Sequence, residues 1–568
     1  MNQHRQDPIK ESWTGPAGRR PAAALRVPRP VPASRARSYA ERGYWDDRLL
    51  RDGIEAAAST RPEGIAVIDD RAQMTWAALA SDVAAGAARL ADVGLGPGTA
   101  AILIAGNTLE GVVAYHSLLR AGATALLLDR RCGARDLRLA LDSVPVSAVL
   151  LPLAEGRRLG GELGEQATMG LEELVGETGG DGRVSGWREP DRHAPSVVLF
   201  TSGTTDRPKG VTHSLNTLTS GARNMAVTTG ADERSVIYLV SPLTSITGVM
   251  QMHLAADCHS TLVLDDGFEP ERSLSRINDC GATILGGAPV IVERLIAVAD
   301  SRGHARVALR TLALGGTLLP RAFLERVTEQ YGIDVIRVYG SSEAPNATGR
   351  LPGGSSPGPL IDDGALMPGT EVRVGSSQHP QEGLLRGPGV MLGYLDEGDN
   401  LGAYEGEWLR SGDLVDVTEG RLTVIGRLKE IVNRSGFKIS LSEIDAALLG
   451  LPGIEECAGF AVPDRETGEH LAVAVVLQGG ADVTMAKVLD HLRVEGLATR
   501  KLPEEVVIWD EPLPRTASGK VVRARLSMDA PSKRSMSVDR LRSMSRTSNP
   551  EPTEPDPPVV PNHPEEQS

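Results

Sequence analysis

TAAILIAGNTLEGVVAYHSLLRAGATALLLD, residues 99–129, holds three elements in one line. TAAILIAG (99–106) is an apolar run of strand length. LEGVVAYHSLLRAG (109–122) is a helix that closes on Gly122, and ATALLLD (123–129) is a second strand. Strand, helix, strand at this spacing predicts a βαβ crossover and a mostly parallel sheet buried on both faces. Upstream, IAVID (65–69) reads as a strand and TWAALASDVAAGAARLADVG (75–94) as a helix, with Thr75 as N-cap and Gly94 as its stop. Downstream the strand pattern returns in VSAVLLP, SVVLFT, TLVLDD, ATILGG, RTLALGG and VIRVYG. Many of these runs end in Gly, Ser or Thr. Ligands of open α/β sheets bind beyond the carboxyl ends of the strands, so several polar loops are expected to converge on one crevice.

Near residue 426 the texture changes. RLTVIGRLKEIVNRSGFKIS (421–440) reads as paired strands, and Ser440 and Glu443 form a capping-box pattern before EIDAALLG. ECAGFAV, LAVAVVL and EEVVIWD are further strands, with the helix MAKVLDHLRVEG between the last two. The expected organisation is α/β: a large domain of layered, mostly parallel sheets and helices over 45–427, and a small, mobile α+β lid over 428–528. Residues 1–44, with nine Lys/Arg against three acidic residues, and the Ser/Arg- then Pro-rich stretch 529–568 read as disordered tails.

Bulk properties narrow the function. The 568 residues exceed one simple domain. A net charge of −14 argues against general nucleic-acid binding. No run of 18 apolar residues suggests a membrane span, and the N-terminus lacks an apolar signal core, so a cytoplasmic protein is expected. Cys132, Cys258, Cys280 and Cys457 are too scattered for a zinc site or disulfide framework and read as buried free thiols.

The chemistry starts at TSGTTDRPKG (201–210). A glycine- and hydroxyl-rich loop after a strand offers N–H and O–H donors to a polyphosphate, and Lys209 adds a cation. Its order is not that of a Walker loop. FTSGTTDRPKGV resembles the phosphate loop of the adenylate-forming superfamily: acyl-CoA synthetases, aryl-acid ligases and peptide-synthetase adenylation domains. RVYGSSEAP (337–345), WLRSGDL (408–414), VIGRLKEIVNRSGFKIS (424–440) and LPRTASGKVVR (513–523) resemble its further motifs, in family order over about residues 45–527.

The resemblance implies activation of a carboxylic acid by ATP to acyl-AMP and pyrophosphate, then acyl transfer to the thiol of CoA. A carrier-protein phosphopantetheine is the alternative acceptor, and an idle nucleotide-binding homologue the alternative class. It places Thr201, Ser202, Gly203, Thr204, Thr205 and Lys209 on the β/γ-phosphates, Ser342 near the α-phosphate and Glu343 on Mg²⁺. A single carboxylate suits an ion otherwise held by phosphate oxygens. Asp413 would accept the ribose hydroxyls, with Arg427 beside it. Gly315, Gly316 and Thr317 would flank adenine and the acyl group, and Tyr339, preceding Gly340, would stack on adenine. Lys520 would bridge the carboxylate and the α-phosphate. Lys429 would be the hinge of the lid, and Gly436 would line the path of the thiol.

His213 is read as structural. Asp206 stands where the family has glycine, and it sets a negative charge near a triphosphate. In SPLTSITG (241–248), Thr244 and Ser245 replace an aromatic residue or histidine, and Ile246 stands where aryl-acid ligases often place asparagine to read an ortho-hydroxyl. ERGYW (41–45) and GGTLLP (315–320) resemble ligases for cyclohexanecarboxylate and medium-chain acids.

Overall fold

The computed structural model describes residues 25–46, 50–164, 166–176, 190–201, 208–315, 321–352, 362–428, 430–434, 437–465, 467–479, 481, 483–515 and 521–537. The chain divides into two compact units: Met1–Ile431 with Ser440–Gly450 and Arg515–Val521, and Val432–Ile439 with Leu451–Pro514 and Val522–Ser568.

In the first unit the crossover at 99–129 forms as expected. Strand Ala100–Ala105 runs parallel to Thr124–Asp129 from Ala100↔Thr124 to Ala105↔Asp129. Helix Leu109–Ala121 joins them, starting on Thr108, whose side chain accepts from Gly111 N–H, and ending on Gly122 at φ 81°. Helix Trp76–Asp92 starts on the predicted Thr75 cap, and Gly94 follows it at φ 84°. The sheet runs Thr168–Gly170, Ala148–Leu151, Ala100–Ala105, Thr124–Asp129, Val197–Thr201, Lys209–His213, parallel except for its last pair. Every residue of Ala100–Ala105 is buried, which is why the run shows no polar alternation.

A second sheet runs Asp334–Arg337, Thr311–Leu314, Ile284–Gly287, Val236–Leu239, Thr261–Leu264, Ile65–Ile68, with Gln73–Thr75 antiparallel at its edge. A third sheet, foreseen only at Arg421–Arg427, is antiparallel throughout. Its order is Thr348–Gly349, Ala365–Leu366, Arg421–Arg427, Trp408–Thr418, Glu382–Arg386, Glu371–Val374.

The small unit carries the expected α+β pattern. Ile454–Asp464 pairs antiparallel with Gly468–Leu477, which runs parallel to Glu505–Trp509, and helix Met485–Val494 lies between the last two in sequence. Helix Leu441–Leu448, which belongs to the first unit, follows Ser440, but the capping box is not made: Ser440 Oγ pairs with Ser442 Oγ at 2.8 Å.

Both tails are corrected in part. Residues 25–46 are ordered and include helix Ala33–Glu41. Tyr39 and Trp45 supply apolar area that average composition hides, and each is 5% exposed. At the other end, Arg534–Ser537 adds an antiparallel strand to Glu505–Trp509. Among the thiols Cys132 is buried, whereas Cys258, Cys280 and Cys457 are only partly covered. No helix among the described residues is long and apolar enough to cross a membrane.

Candidate active site

Loops at strand ends carry Thr201, Gly315 and residues 339–343 of the site, and neighbouring strands carry Lys209, Asp413 and Arg427. Thr201 ends its strand and pairs in register with Lys209, whose carbonyl accepts from Thr201 Oγ1 at 3.4 Å. Ser202, Gly203, Thr204, Thr205 and Asp206 lie outside the described residues, as do Gly316, Thr317, Lys429, Gly436 and Lys520.

The loop after Asp334–Arg337 is held close. A Cβ on Gly340 would stand 2.7 Å from Asn346 N, and one on Gly315 2.6 Å from Val338 O, so neither site has room for a side chain. Tyr339 N–H donates to Thr348 Oγ1 at 2.8 Å, and Ala344 N–H to Ser341 Oγ at 3.2 Å. Beneath the loop His213 is fully buried. Its Nε2 bonds the Ser342 carbonyl at 2.7 Å and its Nδ1 bonds Thr217 Oγ1 at 3.0 Å. Burial pushes its pKa down to about 4, so the ring is neutral and serves as a strut, in line with the structural reading.

At one end of this loop stands a buried acid. Asp413 and Arg427 are cross-strand partners, and Arg427 Nε lies 2.9 Å from Asp413 Oδ1. Tyr339 Oη donates to Asp413 Oδ2 at 2.7 Å. The carboxylate raises the pKa of Arg427, while burial and then Asp413 hold the Tyr339 phenol well above its usual range. The acid is oriented from both oxygens and 4% exposed, an arrangement suited to accepting hydroxyl donors.

The other end gathers the opposite charges. Lys209 Nζ lies 3.5 Å from Asp399 Oδ1 and 4.7 Å from the centre of the Tyr394 ring. Tyr394 Oη donates to Glu343 Oε1 at 2.8 Å. Tyr394 and Asp399 were missed in the sequence. The signal was LGYLDEGDN (392–400), an apolar Gly-Tyr run followed by acids, whose partner strand lies far upstream. Asn107 was missed too. Its Nδ2 donates to Ser241 O and Asp265 O, each at 3.0 Å, and its Oδ1 accepts from Leu243 N–H at 2.7 Å, which fixes the SPLTSITG turn. Ser245 then caps helix Ile246–Cys258.

No group of three or more His, Cys, Asp or Glu side chains that could hold a metal occurs among the described residues. The Glu343 carboxylate nevertheless fits Mg²⁺ brought in on a triphosphate, which needs one or two carboxylates from protein.

The profile of the AMP-binding enzyme family matches residues 54–395, and that of the AMP-binding enzyme C-terminal domain matches 443–520. A salicylyl-CoA synthase / salicylate adenylyltransferase of Streptomyces sp is 30% identical over 543 residues, covering 88% of this chain and 96% of that protein. An oxalate–CoA ligase of Arabidopsis thaliana is 29% identical, covering 84% and 98%. The structure of o-succinylbenzoate coenzyme A synthetase from Bacillus subtilis with ATP and magnesium ion superposes with a TM-score of 0.73 at 25% identity, covering 84% and 98%. With the family profile spanning more than half of its length, the chain belongs to the AMP-binding enzymes, the adenylate-forming superfamily.

Proposed function

We propose that the protein activates a carboxylic acid with ATP, releasing pyrophosphate, and passes the acyl group from acyl-AMP to CoA. The observation that carries this reading is the polarity of one loop. At one end of residues 339–343 Tyr339 bonds the oriented acid Asp413, and at the other Glu343 accepts from Tyr394, whose ring faces Lys209. A nucleotide needs that order: acceptors for ribose hydroxyls, then cation and metal carboxylate for phosphates.

On this reading Asp413, held by Tyr339 and Arg427, binds the ribose. Lys209 and the loop from Thr201 take the β/γ-phosphates, and Glu343 holds the metal. Mg²⁺, when bound, neutralises the triphosphate and polarises its oxygens. The substrate carboxylate attacks the α-phosphorus; the P–O bond to pyrophosphate breaks and its electrons leave with pyrophosphate. Lys520 supplies the cation shared by carboxylate and α-phosphate, and Gly436 keeps the later thiol path clear. The thiolate of CoA then displaces AMP from the acyl carbon.

The acid is proposed to be a cyclohexanecarboxylate-like or medium-chain acid. Ile246, half-buried at the first turn of its helix, offers no polar group to an ortho-hydroxyl, unlike what the name of the Streptomyces relative would suggest for this position.

The test is ATP–pyrophosphate exchange across cyclohexanecarboxylate, octanoate, benzoate and salicylate, with Lys520→Ala as control. Acid-dependent exchange lost in the variant, followed by CoA acylation, is the expected result. No exchange with any acid would favour an idle nucleotide binder. Exchange without CoA acylation would assign the acyl group to a carrier-protein phosphopantetheine.

A further inference from the structure

Glu343 and Lys209 come from different parts of the chain, and one side chain touches both. Tyr394 gives its hydroxyl to Glu343 Oε1 and its ring face to the Lys209 ammonium. Its own place is set by backbone pairing. Tyr394 N–H donates to Asn400 Oδ1 and Asn400 Nδ2 donates to Tyr394 O, both at 2.8 Å. On either side Leu392 N–H donates to Thr212 O at 2.8 Å and Leu395 N–H to Gly210 O at 2.7 Å, so the segment runs as an extra strand beside Lys209–His213. Tyr394 is 9% exposed.

We propose that Tyr394 is a positioning residue for the metal–triphosphate half of the site. Its hydroxyl commits one oxygen of Glu343 and so orients the carboxylate for Mg²⁺, while its ring keeps Lys209 alongside. The inference rests on the nucleotide reading above. It goes further by giving the metal carboxylate a partner outside the recognised motifs.

A neighbour supplies the comparison. Tyr404 is half-buried, under the Arg29 guanidinium at 3.9 Å, and its buried hydroxyl has no hydrogen-bond partner among the described residues. Removing that hydroxyl deletes the same atom without deleting a bond.

The experiment titrates Mn²⁺, a paramagnetic stand-in for Mg²⁺, into the full chain with α,β-methylene-ATP and reads bound metal by EPR, without turnover. Tyr394→Phe is expected to weaken Mn²⁺ about tenfold, as loss of a hydrogen bond to a charged group implies, with metal-free analogue binding unchanged. Tyr404→Phe is expected to match wild type. Glu343→Gln should weaken Mn²⁺ at least as much as Tyr394→Phe, and the double variant should add little to it. Unliganded melting curves control for folding. Should Tyr394→Phe not fold, Asn400→Ala, which frees the Tyr394 backbone but keeps the hydroxyl, carries the same expectation with a smaller loss. Unchanged Mn²⁺ affinity in Tyr394→Phe, an equal loss in Tyr404→Phe, or additive losses in the double variant would overturn the proposal while leaving the nucleotide reading standing. A wild-type protein that holds no Mn²⁺–nucleotide would overturn both.

Discussion

On the proposed nucleotide reading Asp413 accepts two neighbouring hydroxyls, which requires a fixed carboxylate plane, and two groups fix it. Arg427 takes one oxygen and Tyr339 the other. Tyr339→Phe removes one support and leaves the charge pair, so the expected loss is that of one hydrogen bond to a charged acceptor, about 1.5 kcal/mol or roughly tenfold. It should appear as a higher KM for ATP with the KM for the acid unchanged, measured by pyrophosphate exchange. A second test at this scale concerns the acid. Ile246→Asn puts an amide at the first turn of the helix capped by Ser245, where the native side chain is aliphatic. Salicylate is expected to be no better than benzoate for wild type and to overtake it in the variant. A wild type that already prefers salicylate would refute the role given to Ile246.

Among the elements, the segment 25–46 departs most from its composition. Pro and Arg dominate it, yet three aromatic rings fasten it down. Trp45 packs edge-on against Tyr39 and His193 at 5.0 and 5.4 Å and gives its indole N–H to Pro388 O at 2.9 Å. Asp46 pairs with Arg223 at 2.5 Å. Trp45→Ala should cost about 3–5 kcal/mol, as for other buried aromatics, and Trp45→Phe about 1 kcal/mol for the lost hydrogen bond. Urea midpoints measure both, and a near-zero effect would mean that the segment does not contribute to the fold.

The same contrast explains what could be read from the chain. Runs such as AAILIA and TALLLD announce themselves because strands buried on both faces leave no polar residue to interrupt them. The third sheet showed only at Arg421–Arg427, inside the run read as paired strands, because Thr348–Gly349 and Ala365–Leu366 are two residues each and Glu371–Val374 and Glu382–Arg386 only four and five. Asp413 and Lys209 sit inside local motifs and were legible. Tyr394 was not, since its value comes from a strand pairing with residues 210–212, which no local window contains.

For the molecule as a whole, three histidines make acid the expected weak point. His116, His213 and His253 are buried in the first unit, and burial lowers their pKa values to about 4, about 4 and about 3. His253 also feels the other two, and its Nε2 bonds Tyr115 Oη at 2.7 Å. The sign follows from the depressed values. Above pH 6.5 folded and unfolded chains both carry these rings neutral, and their contribution is fully present. Below it the unfolded chain takes protons that the folded chain refuses, so stability falls as pH drops from 6.5 toward 4. Each ring contributes a slope of about 1.4 kcal/mol per pH unit, so each costs roughly 2 kcal/mol by pH 5. Three together remove a large share of the ~5–15 kcal/mol typical of a folded domain. Urea unfolding at several pH values between 7.5 and 5 should therefore show proton uptake by these rings that rises from near zero at pH 7.5 to about three toward pH 5. His116→Gln should lower that uptake by one whatever its effect on stability at pH 7.5, because a glutamine cannot titrate. An unchanged proton count in the variant would mean that His116 is protonated in the folded chain and that its burial does not govern the acid limit.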